Sequence, residues 1–177
     1  RFVVVEAGVL NGTVQKLVSE QGFFWPPDPS SAAYCSVGGN LATNAGGPHT
    51  VKYGSTRDHV LGVRAVTASG DIVRTGSFTS KHSVGYDLTR LLIGSEGTLA
   101  IITEATLKLT PKPACVAGVA AHYRDLASCS EAIVAIMGQP FLPSALEFLD
   151  VNALALLRSH YPDMLPNDSE AMLVIEV

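Results

Sequence analysis

Two glycine-bracketed segments carry the residue types best suited to holding a ligand. The first, SVGGNLATNAGG at 36–47, sets the pairs Gly38-Gly39 and Gly46-Gly47 around small Ala42 and Ala45 and the polar side chains of Asn40, Thr43 and Asn44. Paired glycines let backbone N–H groups come close to a ligand and adopt positive φ, so such a segment can line a phosphate or a flat ring. Asn40, Thr43 and Asn44 would add donors, aimed by turn geometry rather than by a helix face. A tight crossover against the core would use the same glycines for clearance alone, and the residue types weigh these two readings about equally.

The second segment is GSEGTLAIIT at 94–103, where Gly94 and Gly97 bracket Ser95 and Glu96 and lead straight into strand-like sequence. A carboxylate held there either caps backbone donors or fixes a neighbouring loop or ligand. With no partner acid or base identifiable, positioning is the better reading than general-base work.

Other chemistry is poorly represented. The sequence holds no HExxH, GxSxG, EF-hand loop, Walker loop or GxGxxG. His49, His59, His82, His122 and His160 are scattered, and each is read as an exposed or singly bonded side chain. Cys35, Cys115 and Cys129 are an odd, widely spaced set with no CxxC pair, which fits neither a disulfide framework nor a zinc site and suggests a reducing cytoplasm. Sequons at Asn11 and Asn167 are common by chance and are set aside.

Alternating regular elements must position the two segments. A strand at 2–5 leads to a short helix with Asn11 as its N-cap and Val14, Leu17 and Val18 at helical spacing, stopped by Gly22. Pro26, Pro27 and Pro29 then bar regular structure, and 36–53 reads as an ordered loop, or a loop with a short helix. Strands at 60–67 and 72–75 flank the turn residues 68–71 as a hairpin. Asp87 caps a short helix with Leu88, Leu91 and Leu92 that aims the loop at Gly94. A strand at 98–110 alternates Leu99, Ile101, Ala105, Leu107 and Leu109 against Glu104, Thr106 and Lys108. After the Pro111-Lys112-Pro113 linker the pattern is β-α-β-α-β: 116–123, a helix from Asp125 to Gly138, 145–149, a helix at 150–160, and 171–177, most of a ferredoxin-like split unit.

Composition excludes several classes. Twelve Lys and Arg against sixteen Asp and Glu give a net charge of −4 with no clustered basic field, which argues against a nucleic-acid partner. At 47% apolar residues the chain of 177 can bury a core, yet no run suits an integral membrane segment. Both ends fall in strand-like sequence, so a fragment of a longer protein is expected.

Taken in series, WPPDPSS at 25–31, SVGGNLATNAGG, VKYG at 51–54, the hairpin, and GYDLTRLLIGSEGTLAIITEATLKLTPKP at 85–113 closely resemble the FAD-linked oxidases of the vanillyl-alcohol-oxidase/p-cresol-methylhydroxylase type. Among these, D-2-hydroxyacid and D-lactate dehydrogenases and the flavin subunit of glycolate oxidase look most similar. The resemblance implies an α+β fold in which 1–113 is the second FAD-binding subdomain, an antiparallel sheet with flanking helices. Residues 114–177 would then begin a ferredoxin-like substrate or cap domain. By the same analogy FAD is bordered by Pro27 and Asp28. Contacts to its pyrophosphate and ring come from Ser36, Val37, Gly38, Gly39, Asn40, Thr43, Asn44, Ala45 and Gly46, with Glu96, Gly97 and Ile102 approaching from the second segment. Residue 100 is Ala where the family usually has Gly.

The implied reaction is oxidation of a D-2-hydroxy acid (glycolate, D-lactate or similar) to the 2-oxo acid, with electrons passed on to an acceptor, and no metal in this segment. The family's glycine-rich pyrophosphate loop would precede Arg1 and its histidine-rich motif would follow Val177, so the chain is not expected to be active alone, and no catalytic residue is named within it. Oligomers, partner subunits and peripheral membrane association stay open. The alternatives are a non-catalytic remnant or accessory subunit of the same fold, or another FAD-linked oxidase such as an alkyl-dihydroxyacetone-phosphate synthase.

Overall fold

The computed structural model describes residues 1–177 apart from Ser80, His82, 162–164 and Asn167, so the readings of His82 and of the Asn167 sequon lie outside the described residues. The chain divides into two units, Arg1–Pro113 and Ala114–Val177. The first contains β1 (Phe2–Glu6), α1 (Asn11–Ser19), β2 (Phe23–Phe24), α2 (Val37–Thr43), α3 (Thr50–Tyr53), a 3-10 turn (Thr56–His59), β3 (Val60–Thr67), β4 (Ile72–Gly76), α4 (Leu88–Leu92), β5 (Ala100–Lys108) and β6 (Thr110–Pro111). The second contains β7 (Gly118–Tyr123), α5 (Leu126–Met137), β8 (Ala145–Leu149), α6 (Val151–His160) and β9 (Ala171–Glu176).

In the first unit four antiparallel strands run in the order β1-β5-β3-β4, and β2 pairs with β6 as a separate ribbon. The β-branched run of β3 buries Val63 and Ala65 on one face, opposite Ala105 of β5 and Val73 of β4. That face meets Val14 and Val18 of α1, Val37 and Leu41 of α2, and Trp25, Ile93 and Leu107, which are wholly buried. Trp25 is pinned at both ends of its indole and backbone: Nε1 donates to the His59 carbonyl at 3.3 Å, and its N–H donates to Gln15 Oε1 at 3.2 Å. Removing such a side chain typically costs about 3–5 kcal/mol.

Three sequence expectations change here. Asn11 does not cap α1: Leu10 occupies the extended cap position, and the buried Asn11 amide turns inward and donates Nδ2 to the Pro27 carbonyl at 3.2 Å. Helix α1 is thereby tied to the proline segment, and Leu17 lies on the exposed side. The single alternation expected over 98–110 is broken. Register shifts between Arg64↔Glu104 and Ala65↔Ile102, leaving Thr103 as an extra residue on β5 whose hydroxyl donates to the Arg64 carbonyl at 3.2 Å. Such a bulge exchanges parity, so Ala105 and Leu107 face the core after it, whereas Ala100 is buried before it and Leu99 and Ile101 are exposed. Finally, 36–53 is not chiefly loop but holds both α2 and α3.

In the second unit β9 lies between β7 and β8, antiparallel to both. The sheet has three strands, arranged as a split β-α-β with a following helix and strand. Asp125 and Asp150 cap α5 and α6, accepting from Ser128 N at 2.8 Å and Ala153 N at 2.8 Å. These donors hold both carboxyls below the usual range. Cys129, Ala171 and Leu173 form the core, and burial pushes the Cys129 thiol up. Among the described residues no helix is long and apolar enough to cross a membrane.

Candidate functional site

Helix α2 begins at Ser36, whose hydroxyl accepts from Gly39 N at 3.1 Å, and ends at Asn44 in the left-handed conformation, φ 51°. Asn44 Oδ1 accepts from Arg57 N at 2.9 Å and from Ser55 Oγ at 3.0 Å, locking the helix end to the 3-10 turn. Helix α4, capped by Asp87 through Arg90 N at 2.9 Å, delivers the chain into the turn at 94–97. There Gly94, Glu96 and Gly97 have φ of 84°, 50° and 77°.

This turn docks onto the end of α2. Gly94 N donates to the Leu41 carbonyl at 2.9 Å and Glu96 N to the Ala42 carbonyl at 3.0 Å, satisfying carbonyls that a helix C-terminus leaves open. Arg57 NH2 braces the turn through the Ile93 carbonyl at 2.7 Å. The two glycine-bracketed segments thus meet. Between them lies a cleft of about 90 Å³ lined by Gly38, Ala42, Leu92, Ser95, Gly97, Ala100, Ile101 and Ile102. Its lining is glycine, alanine and aliphatic side chains, with Ser95 the one polar residue. The N–H groups of Gly46 and Gly97 donate to nothing among the described residues.

Of the two readings weighed for the glycines of the first segment, the geometry favours clearance. None of Gly38, Gly39, Gly46 and Gly47 has positive φ. Gly38 N and Gly39 N are taken by the Ala7 carbonyl and Ser36 Oγ, so they are not open phosphate donors. A Cβ on Gly38 would lie 2.8 Å from Ala7 Cβ, and one on Gly47 would lie 2.2 Å from the Asp28 carbonyl. Here glycine serves close backbone approach, the clearance reading.

The remaining residues divide by burial. Pro27 is wholly buried, and Val37 is a core residue. Asn40 and Thr43 are carried by α2 and not by a turn; Asn40 is 2% exposed with Nδ2 lacking a partner, while Thr43 Oγ1 donates to the Gly39 carbonyl at 3.0 Å. The Ala45 carbonyl accepts from Thr56 Oγ1 at 2.8 Å. Glu96 is exposed and its carboxylate makes no hydrogen bond or ion pair among the described residues, so it does not cap backbone donors. Ile102 lines the cleft. Asp28 pairs with His49 Nδ1, and its other oxygen is buried without a partner among the described residues. Sequence reasoning missed the His49 pairing and the Arg57 brace, since neither lies in a patterned segment. Among the described residues no group of His, Cys, Asp or Glu could hold a metal ion.

Residues 1–76 match the family model described as FAD binding domain, and residues 112–177 match that of the FAD linked oxidases, C-terminal domain. The chain belongs to the FAD-linked oxidase superfamily. It is 42% identical over 172 residues to glycolate oxidase subunit GlcD of Bacillus subtilis, covering 97% of this chain and 37% of that protein. It is 45% identical over 150 residues to D-lactate dehydrogenase of Anaerostipes hadrus, covering 84% and 31%. The fold matches a solved alkyldihydroxyacetonephosphate synthase with a TM-score of 0.80 at 24% identity, covering 99% of this chain and 35% of the other. The chain therefore spans roughly a third of the length of the relatives it matches.

Proposed function

We propose that this chain supplies one wall of the flavin site in an FAD-dependent oxidoreductase that oxidises a D-2-hydroxy acid, glycolate or D-lactate in type, to the 2-oxo acid. The observation that carries the reading is the docking of the 94–97 turn on α2, which builds the cleft and leaves the Gly97 N–H without an acceptor among the described residues. The names borne by the two relatives supply the substrate class. The cleft fits part of the cofactor: Ala42, Gly97, Ala100 and Ile102 would pack against a ring edge, Gly97 would donate to it, and Glu96, between two residues that line the cleft, would stand nearby. FAD, when bound, would supply the redox chemistry of the oxidation. The residues of this chain orient and shield it. Asp28 and His49 hold the proline segment against the Gly47 turn as its support. The second unit is read as the start of a ferredoxin-like cap, and the three free thiols support a reducing compartment.

A cleft of only 90 Å³ also favours a second reading, an accessory module that keeps the fold without binding the cofactor. The test is the visible absorbance of the purified protein followed anaerobically on addition of glycolate, D-lactate and D-2-hydroxyglutarate. Bleaching of a flavin band by one of them is expected. A flavin band that none of them bleaches overturns the substrate class, and a colourless protein that takes up no added FAD favours the accessory module.

A further inference from the structure

On the first unit, away from the cleft and sharing no lining residue with it, lies a groove of about 400 Å³. Its lining brings together four cations from four elements: Arg57 of the 3-10 turn, Arg74 of β4, Arg90 of α4 and Lys108 of β5. Thr75 and Thr89 join them, their hydroxyls bonded to each other at 2.8 Å. The groove shares Arg74 and Gly76 with a neighbouring hollow of about 240 Å³, which also holds Arg64 and Glu104. Gly62 and Gly76 stand opposite each other across the β3–β4 pair, so the hollow's floor carries no side chains there.

The charges in the groove do not balance. Asp58 is engaged by Arg90 NH2 at 2.5 Å and by Ser55 N at 3.0 Å, and Asp87 Oδ1 is occupied as the α4 cap. Arg74 and Lys108 have no acidic partner among the described residues. Arg74 also lies directly across from Arg64 in the β3–β4 register, and because Glu104 stands opposite Arg64 on the β5 side, Arg74 is the less neutralised member of this like-charge pair. Arg57 and Arg90 are already fixed in place by Ile93 and Asp58, so the groove is pre-organised on one side and under-neutralised on the other.

We propose that this groove is a second binding site, for a small molecule bearing a phosphate ester or diphosphate. Planar guanidinium groups suit phosphate oxygens bidentately, Lys108 adds a point charge, and the volume admits a diphosphate together with a ring. The site does not depend on the flavin reading, because it is assayed without flavin chemistry.

The experiment is calorimetric titration of the 177-residue protein with inorganic pyrophosphate and with ADP, at matched ionic strength and with sulfate as control. Saturable binding stronger than that of sulfate is expected, and Arg74→Ala and Lys108→Met should each weaken it about tenfold, the effect of one lost charge-assisted contact. Arg74 is exposed and faces a like charge across the β3–β4 pair, so its variant should unfold at or slightly above the parent's thermal midpoint, and a loss of affinity then reports binding and not misfolding. Absence of saturation, equal affinity for sulfate, or indifference to both substitutions would overturn the proposal. So would full competition by FAD, which would return the groove to the cofactor site.

Discussion

The backbone N–H of Glu96 donates to the carbonyl of Ala42 at 3.0 Å, joining the end of one glycine-rich helix to a turn from the far side of the β3–β4 hairpin. Glu96 makes this contact from φ 50°, a conformation that costs an L-residue about 1–2 kcal/mol. Strain of this kind is kept where the surroundings impose it, here by the docking of the turn on α2. Glu96→Gly should therefore retain or raise stability, by up to about 1 kcal/mol, while Glu96→Gln leaves it unchanged because the carboxylate bonds to nothing among the described residues. Urea denaturation of the two variants checks this, and a clear loss of stability in either would contradict it.

Gly94 makes the reverse prediction. At φ 84°, its Cβ would lie 2.9 Å from Arg57 NH2 and 3.1 Å from Asn44 Cβ. Gly94→Ala should cost at least about 1 kcal/mol from backbone conformation alone, and more if the Arg57–Ile93 bond is displaced. An unchanged denaturation midpoint would show that the turn is not clamped as described.

Gly47→Ala would set a methyl 2.2 Å from both the carbonyl and Oδ1 of Asp28. Neither the carbonyl nor a carboxylate paired to His49 can yield cheaply. A loss of about 2–3 kcal/mol or more is expected in equilibrium unfolding, whereas Gly8→Ala, which meets nothing within 4 Å, should stay near parent stability.

The positions of most strands and helices were legible because their cues are local: Asp87, Asp125 and Asp150 stand as caps where the sequence suggests, and the hairpin turn follows its Ser-Gly-Asp chemistry. What could not be read depends on distant partners. Asn11 resembles a cap but is drawn inward by the Pro27 carbonyl, and the bulge at Thr103 is set by its pairing with β3. Gly38 and Gly39 have the composition of an open phosphate loop, yet Ala7 and Ser36 consume their N–H groups. That 36–47 and 94–97 lie together is equally a tertiary fact.

Acid sensitivity should centre on His59. Its Nε2 meets the Tyr53 carbonyl at 2.7 Å as donor, while Nδ1 is buried without a partner among the described residues, and burial lowers its pKa below the ordinary 6.5 and favours the neutral ring. The unfolded chain then binds the extra proton more readily. Stability from this group is complete above about pH 6.5 and is lost as pH falls from there toward the lower folded value. His59→Gln, able to donate to Tyr53 but not to titrate, should flatten that part of the stability profile even if it lowers the plateau. An unchanged slope would place the acid sensitivity elsewhere.

The central claim is that α2 and the 94–97 turn form a flavin-facing wall, and the most direct test is titration of FAD with the protein, read by flavin fluorescence and visible absorbance. Ala42→Leu fills the cleft from a helical position and replaces one good helix former with another, so it should preserve the far-ultraviolet circular dichroism. A saturable flavin response in the parent, weakened about tenfold or more by Ala42→Leu, is predicted from the loss of the ring-edge contact. A flavin spectrum indifferent to the protein, or equal binding by the Ala42→Leu variant, would contradict the account.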